Sequence, residues 1–390
     1  MCSATARSTA PLCCTSMPEP VAHAPGAPSP KVHAARAALA FSSLQSAYFD
    51  ARTGLYRKPR HFLLRSFEAL WPLTTAWSAA CSLAALPAEH AGGTDQAARV
   101  LSGRIAAAYR YATHKQASSG PLGLASTVHR PVWSQLDRYL WHAGAAYFDD
   151  NEWVALALLQ QYRLENEPRY IDLARRVFTF IVTGWCDSVG WAHPGGIRWA
   201  DAAWSRTRNT CSNGPAAEVA AELYLATGEE HYLDWSVRIY NWARSILRGE
   251  DGLYRDHVAP DGAVQPAIWS YNQGSMIGAG VLLHEATAED AYLEDACLTA
   301  AASLAHYGEV DALVREHAVF VAVYLRDLLI LDEIRPDPRY RALAESYASN
   351  MWEQHRQAST GLYLPLSSGV NGTAPLVAIE ALLAGSPPRP

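Results

Sequence analysis

The chain alternates between two kinds of apolar pattern, and both have the spacing of a helix. The first kind is amphipathic and recurs in four similar segments anchored by Tyr170, Tyr232, Tyr292 and Tyr340. Apolar residues three and four positions apart, with charged residues between them, are typical of a helix with one buried face. The second kind is apolar on all sides and rich in small residues, as in "GPAAEVAAELYLATG" from Gly214. The alternation predicts helical hairpins joined by short polar turns.

These helices can be placed along most of the chain. The amphipathic helices are predicted over residues 33–49, 94–113, 169–183, 231–247, 290–306 and 338–355, and the small-residue helices over residues 66–85, 150–165, 214–227, 273–287, 315–333 and 373–384. Six alternating pairs without a polar end repeat favour closure into a ring. We therefore predict an all-α fold, an (α/α)6 toroid (barrel) of six helical hairpins, with the small-residue helices inside. The loops that precede the inner helices would open on one face.

The start of the chain and its composition narrow the functional classes. Residues 1–30 are rich in Pro, Ala and Ser and lack the apolar core of a secretory signal, so we expect a disordered leader before a single domain over residues 31–386. Without an apolar run long enough to span a bilayer, we expect a cytoplasmic monomer that does not insert into membranes. The net charge of −6, without a basic stripe, argues against nucleic acid as a partner. The seven scattered cysteines predict neither a zinc site nor a disulfide framework.

Polar and aromatic residues are concentrated in the loops before the inner helices. In chain order these loops read "FDDNEW" (148–153), "WSRTRNTCSNGP" (204–215), "IWSYNQG" (268–274), "VREHAVF" (314–320) and "GVNGTAP" (369–375). Amides, carboxyl groups and hydroxyls can hydrogen-bond sugar hydroxyls, and aromatic rings can stack on pyranose faces. No metal-ligand spacing accompanies them, so we expect neither a metal nor another cofactor. The loops predict a glycan-binding cleft.

The adjacent acids Asp149 and Asp150 have two interpretations. Acids at a helix start can simply cap the helix. Glycoside hydrolysis needs one carboxylic acid and one carboxylate. Adjacent acids can supply both. Neighbouring side chains in an extended loop point to opposite sides, and two nearby carboxyl groups acquire different pKa values, so that one can be protonated while the other is ionised. Asn213 is also compatible with a helix cap, whereas Asn272, between Tyr271 and Gln273, is less readily explained in that way.

Five motifs occur in a characteristic order: "YFDDNEWVALALL" from Tyr147, "GGIRW" (195–199), "RNTCSNGPAAE" (208–218), "DGLYRD" (251–256) and "WSYNQGSMIGA" (269–279). In order and spacing they resemble glycoside hydrolase family 76, the endo-α-1,6-mannanases, over about residues 35 to 385. The resemblance implies the same toroid and the hydrolysis of α-1,6-mannosidic bonds in mannan or mannooligosaccharides with retention of configuration. It further implies Asp149 as the nucleophile, Asp150 as the general acid/base and Asp256 as a ligand of the sugar at the cleavage site. The remaining motif positions near the cleft are Trp199, Asn213, Tyr271, Asn272 and Gln273.

Other functions remain open at this point. A catalytically silent or differently specific glycan-binding protein on the same toroid would be indifferent to Asp149→Asn and Asp150→Asn. A sugar epimerase would need paired cleft histidines, and His142 and His193 flank the site region without matching such a motif. A magnesium-binding DDxxD motif would need an acid at the position of Trp153.

Overall fold

The computed structural model describes residues 28–59, 67–90, 94–108, 112–113, 132–133, 146–187, 190–363 and 369–385. Helices account for most of these residues. The α-helices are α1 (Pro30–Tyr48), α2 (Leu70–Ala84), α3 (Thr94–Leu101), α4 (Arg104–Ala108), α5 (Phe148–Glu165), α6 (Pro168–Ile181), α7 (Thr210–Thr227), α8 (Glu230–Leu247), α9 (Ser270–Thr287), α10 (Asp290–Tyr307), α11 (Val310–Val314), α12 (Ala318–Ile334), α13 (Pro338–Asn350) and α14 (Val370–Ala384). A π-helical turn, Met351–His355, continues α13.

The described strands are short and antiparallel. They are β1 (Phe49–Asp50), β2 (Leu55–Tyr56), β3 (Ala112–Thr113), β4 (Val132–Trp133), β5 (Arg208–Asn209), β6 (His257–Val258) and β7 (Val264–Gln265). β1 pairs with β2, β3 pairs with β4, and β5, β6 and β7 form one small sheet in that order. They shape the loops, while the helices make the core.

Six helices form a closed inner ring. α2, α5, α7, α9, α12 and α14 each pack against the next, and α14 packs back against α2. The outer helices α1, α3, α6, α8, α10 and α13 pack on these inner helices from outside, and α1 packs mainly on α14, so the first helix closes the ring against the last. At this closure, His33 of α1 contacts Glu380 of α14 at 2.5 Å, and both side chains are buried. The predicted all-α (α/α)6 toroid is confirmed.

The small residues of the inner helices allow close approach, as their pattern indicated. A Cβ atom added at Gly274 of α9 would lie 2.6 Å from Cα of Tyr324 in α12. One added at Gly214 of α7 would lie 2.3 Å from Oγ of Ser275 in α9. Real Cβ atoms do not approach other atoms so closely, and an overpacked core is destabilised by about 1–3 kcal/mol. Glycine is therefore required at these helix crossings.

The two faces of the ring have loops of different length. At one face, left-handed residues Asn166, Gly228 and Ala288 end α5, α7 and α9, and the next outer helix follows directly. At the opposite face, longer segments over residues 182–209 and 248–269 lead into α7 and α9. The long loops therefore gather at the starts of the inner helices, which is the face predicted to carry the site.

Several predicted boundaries differ from the structure. The helix predicted over residues 94–113 is broken around Gly103 into α3 and α4, and β3 follows, since glycine is a poor helix former. The inner helices α5, α7 and α9 begin two to four residues before the predicted starts at 150, 214 and 273. The predicted leader, residues 1–30, lies outside the described residues except for its last three positions, and the division into leader and single domain stays a prediction. None of the described helices combines the length and the apolar character that a bilayer crossing requires.

Candidate active site

The two adjacent acids lie in the first turn of α5. The cap position before the helix is Tyr147, which makes no side-chain capping bond, so neither Asp149 nor Asp150 is the helix cap. The expectation that they project from an extended loop is also wrong. With 3.6 residues per turn, their side chains diverge by about 100° around the helix axis. The pair therefore lies at the positive end of the α5 dipole, where carboxylates are favoured.

Asp149 is the acid with hydrogen-bond donors. The indole Nε1–H of Trp199 donates to its Oδ2 at 3.1 Å, and the thiol of Cys211 lies 3.5 Å from the same oxygen. Its Oδ1 accepts the backbone N–H of Asp150 at 2.9 Å. Burial raises the pKa of Asp149 to about 6, and these donors limit the rise because they stabilise the ionised form.

Asp150 has a poorer environment for a charge. Its side chain is buried, and its Oδ2 has no hydrogen-bond partner among the described residues. Burial, followed by the nearby charge of Asp149, raises the pKa of Asp150 well above its usual range. Because the two carboxyl groups interact, they titrate as a pair. The hydrogen-bond donors favour the negative charge of the pair on Asp149, and burial favours the neutral form of Asp150.

A third acid, Glu152, lies one turn further along α5. It is fully buried, and neither carboxyl oxygen has a partner in the described part of the chain. Burial raises the pKa of Glu152 well above its usual range, and the acids Asp149, Glu218 and Asp150 raise it further. Burial and the neighbouring acids therefore favour the neutral form of Glu152. Glu152 is not among the site residues predicted from the sequence, although its position three residues after Asp149 indicates the same helix face.

Asn213 and Gln273 each clamp a loop onto an inner helix. The Asn213 side chain accepts the N–H of Ile197 at 2.9 Å and donates to the C=O of Ile197 at 3.1 Å. The Gln273 side chain makes the same pair of bonds with Tyr254, at 2.8 and 2.9 Å. Asn213 lies inside α7, so the interpretation as a helix cap is wrong. In both residues the amide oxygen and nitrogen are bonded to backbone, and their assignment as sugar ligands stays a prediction.

The clamps fix the loops that carry two predicted site residues. Trp199 follows the clamped residue Ile197 by two positions, and Asp256 follows the clamped residue Tyr254 by two positions. Asp256 is further held by its C=O, which accepts the N–H of Thr210 at 2.9 Å, and by the ring of His257, whose Nδ1 lies 2.8 Å from its carboxylate. The loops that carry both predicted site residues are thus held by hydrogen bonds to inner-helix starts.

Tyr271 and Asp256 belong to the same site as the acid pair. Tyr271 lies close to Cys211, whose thiol contacts Asp149. Burial is the largest cause of the raised pKa of the Tyr271 hydroxyl, and the nearby Cys211, Asp256 and Asp149 raise it further. Asn272 is fully buried, and its amide has no partner among the described residues.

Aromatic rings form clusters on two sides of this site. On one side, Tyr147 and Trp199 meet edge to face with ring centres 4.9 Å apart, and Trp204 lies 6.1 Å from both. On the other side, Phe320 stacks on Tyr271 at 4.1 Å and contacts Trp71, Trp269 and His317. Rings of this kind can pack on the faces of pyranose units.

Of the two histidines considered for an epimerase, the structure describes His193. His193 has a left-handed backbone, and its C=O accepts a hydrogen bond from the buried guanidinium of Arg208. His142 lies outside the described residues.

Glu316 has a structural role, since its carboxylate accepts the N–H of Ser270 at the start of α9 and the hydroxyl of Tyr307.

A cavity of about 110 Å³ lies inside the ring and is lined by all six inner helices. Its lining does not include Asp149 or Asp150, and its polar wall contains Arg326, which is ion-paired with Glu218 and Asp327. Within the described ranges, no three His, Cys, Asp or Glu side chains are grouped as metal ligands.

Residues 125–364 match the model of glycosyl hydrolase family 76, which amounts to more than half of the chain. The chain belongs to glycosyl hydrolase family 76. This confirms the family indicated by the five motifs and the class of enzyme, glycosyl hydrolases, that the motifs predicted.

Curated relatives are similar to this chain over part of its sequence. Mannan endo-1,6-alpha-mannosidase DCW1 of Saccharomyces cerevisiae is 34% identical over 136 residues, which cover 32% of this chain and 29% of that protein. A putative mannan endo-1,6-alpha-mannosidase of Schizosaccharomyces pombe is 26% identical over 137 residues, which cover 31% of this chain and 28% of that protein. The matches thus span less than a third of these relatives.

Solved structures of family 76 share the fold over most of this chain. A mannosidase of the family from Bacteroides thetaiotaomicron has a TM-score of 0.77 at 21% identity, covering 90% of this chain and 98% of its own. An inactive variant of an α-1,6-mannanase of Salegentibacter, in complex with α-1,6-mannotriose, has a TM-score of 0.67 at 22% identity, covering 90% and 99%. At these identities the likeness establishes the toroid alone.

Proposed function

We propose that the protein is a retaining, endo-acting glycoside hydrolase that cleaves α-1,6-mannosidic linkages in mannan or mannooligosaccharides. One observation carries the proposal: two adjacent carboxyl groups have unequal surroundings. Asp149 has an indole, a thiol and a backbone N–H as donors, whereas one oxygen of Asp150 has no partner among the described residues. The pair therefore holds one carboxylate and one carboxylic acid, the combination that glycoside hydrolysis requires.

The unequal surroundings assign the roles. Asp149, ionised first, attacks the anomeric carbon, and the glycosidic C–O bond breaks as Asp150 donates its proton to the departing oxygen. Asp150, now a carboxylate, then removes a proton from water, and the resulting hydroxide displaces Asp149 from the glycosyl-enzyme. Two displacements at the same carbon return the original configuration. Trp199 stabilises the Asp149 carboxylate before and after the covalent intermediate.

The linkage is proposed from the relatives. The fungal relatives are mannan endo-1,6-alpha-mannosidases by name. The inactive Salegentibacter α-1,6-mannanase carries asparagine in place of two consecutive aspartates and was solved with α-1,6-mannotriose. A consecutive acid pair is also what this chain places in the first turn of α5. The rings on both sides of the acids and the carboxylate of Asp256 support a sugar ligand at the same place.

Proton NMR of an unbranched α-1,6-mannooligosaccharide incubated with the pure protein tests the proposal. We expect internal cleavage, with α-anomeric reducing ends present in the first spectra before mutarotation. Product that starts as the β-anomer would contradict a retaining mechanism. Sugar resonances that broaden without any cleavage would instead identify a silent glycan-binding protein.

Azide rescue separates the roles of the two acids. With an activated α-mannoside, Asp149→Ala and azide should give the β-mannosyl azide by a single displacement. Asp150→Ala and azide should give the α-mannosyl azide, since the nucleophile is still present. The opposite pattern would mean that the roles of Asp149 and Asp150 are exchanged.

A further inference from the structure

Trp204 is an exposed indole beside the acid pair. Its side chain is 58% exposed, although large aromatic rings are usually buried and commonly mark binding surfaces when they are not. The ring is not part of the hydrophobic core. Core packing therefore does not explain the presence of an indole at this position.

The loop that carries Trp204 is held in one conformation by hydrogen bonds. Ser205 lies beside it, and the Ser205 hydroxyl accepts the N–H of Ala200 at 2.9 Å, while the Ser205 N–H donates to the C=O of Ala202 at 3.0 Å. Residues 199–201 are paired with residues 146–148 by backbone hydrogen bonds of 2.8 and 3.0 Å. The indole is thus presented by a fixed turn, and binding on it requires little ordering.

The position of Trp204 continues the site outward. Its ring centre lies 6.1 Å from that of Trp199 in an edge-to-face contact, and Trp199 donates to the carboxylate of Asp149. One indole therefore separates Trp204 from the carboxylate that attacks the sugar. A pyranose stacked on Trp204 would not be the unit whose linkage is cleaved, but a unit further along the same chain.

We propose that Trp204 is a platform for a distal hexopyranose of the bound glycan, so that it sets the preference for longer substrates. The inference rests on the proposed function for its choice of a mannan chain. The C–H face of a pyranose packs on an indole by apolar burial and dispersion. The energy is gained only by substrates long enough to reach the ring.

Kinetics on a ladder of linear α-1,6-mannooligosaccharides tests the platform. For the longest substrates, Trp204→Ala should raise KM about tenfold, the factor that corresponds to about 1.4 kcal/mol, with kcat unchanged. For the shortest substrate that is cleaved, the rise in KM should be much smaller than for the longest. Trp204→Phe keeps a ring face and should recover most of the difference. Leu298→Ala on α10, a residue that is also 58% exposed, is the control and should behave as wild type at every length.

Two results would overturn the inference: equal losses at all lengths, or no loss at the longest. Calorimetric titration of the Asp149→Asn/Asp150→Asn protein with short and long oligosaccharides, with and without Trp204→Ala, tests the same dependence on chain length without turnover. If the wild type cleaves no mannooligosaccharide, the proposed function fails. A length-dependent loss of affinity in the titration would still support the platform, and a length-independent affinity would refute it.

Discussion

Replacing Trp199 with phenylalanine should move the acid limb of the pH–rate profile to higher pH. The substitution keeps an aromatic ring beside Tyr147 and Trp204 and removes only the indole N–H that donates to Asp149 at 3.1 Å. That donor stabilises the ionised form of Asp149, whose pKa burial raises to about 6. Without it, the pKa must rise further. Since attack on the sugar requires the ionised carboxylate, activity should appear at a higher pH than in the wild type.

The size of the shift follows from the strength of the lost bond. A hydrogen bond to a charged group contributes about 1.5–3 kcal/mol, and one pKa unit corresponds to about 1.36 kcal/mol. Because Asp149 is only partly buried and keeps its contacts with Cys211 and the backbone, we take the lower end. The acid limb should therefore rise by about one unit, from about pH 6 to roughly pH 7.

The assay is kcat/KM for one mannooligosaccharide, measured from about pH 4.5 to 8. Relative to wild type, Trp199→Phe should lose about tenfold more activity at the acidic end than at pH 8, where Asp149 is ionised in both proteins. Trp204→Phe leaves the donor to Asp149 in place, so its acid limb should stay where it is in the wild type. If Trp199→Phe lowered activity by the same factor at every pH, the indole would act only as a sugar surface and the reasoning would be refuted.

Four further outcomes are expected. Gly196→Ala should lower the free energy of unfolding by about 3 kcal/mol in urea titrations, because the added Cβ would lie 2.4 Å from a buried indole and the backbone has a φ of +79°. The control is Gly190→Ala, at a φ of +97° with no atom within 4 Å of the added Cβ, which should lower the free energy of unfolding by about 1 kcal/mol. His33→Leu should cost about 1–3 kcal/mol, because it removes a buried hydrogen-bond partner of Glu380 and leaves Arg36, at 3.8 Å, as its ion-pair partner, and adding Glu380→Leu should recover part of that loss. Arg208→Met should cost about 3 kcal/mol, since its guanidinium donates to four backbone carbonyls and no other group replaces it. EDTA should leave mannooligosaccharide cleavage unchanged, and a loss that added metal restores would contradict the two-aspartate mechanism.

The ring could be predicted because two independent features of the sequence agree. Helical periodicity located the helices, and small residues such as Gly214 and Gly274 distinguished the helices that must pack closely on both sides. The order of the pairs along the chain then led to closure. Such features depend on residues near one another in sequence or on the composition of one helix face, and they are therefore visible without coordinates.

The inner-helix starts were less predictable because their polar residues are satisfied from elsewhere. Asn213 and Gln273 look like loop or cleft residues in the sequence, yet they lie in helices and bond the backbone of loop residues that lie 16 and 19 positions earlier in the chain. The periodicity of one helix carries no information about such partners. For the same reason the predicted starts of α5, α7 and α9 lie too late in the chain.

The difference between Asp149 and Asp150 is also a product of long-range contacts. The two residues have the same side chain, are neighbours in the chain and share the dipole of α5, so no local rule gives one of them the lower pKa. The distinction comes from Trp199, which lies in the loop before α7, and from Cys211, which lies in the first turn of α7. The side chains of both residues contact Asp149. Closure of the ring thus gives two identical residues unequal surroundings, on which the proposed roles of nucleophile and acid rest. An exchange of roles would require moving these donors, and a change within the acid pair alone would not achieve it.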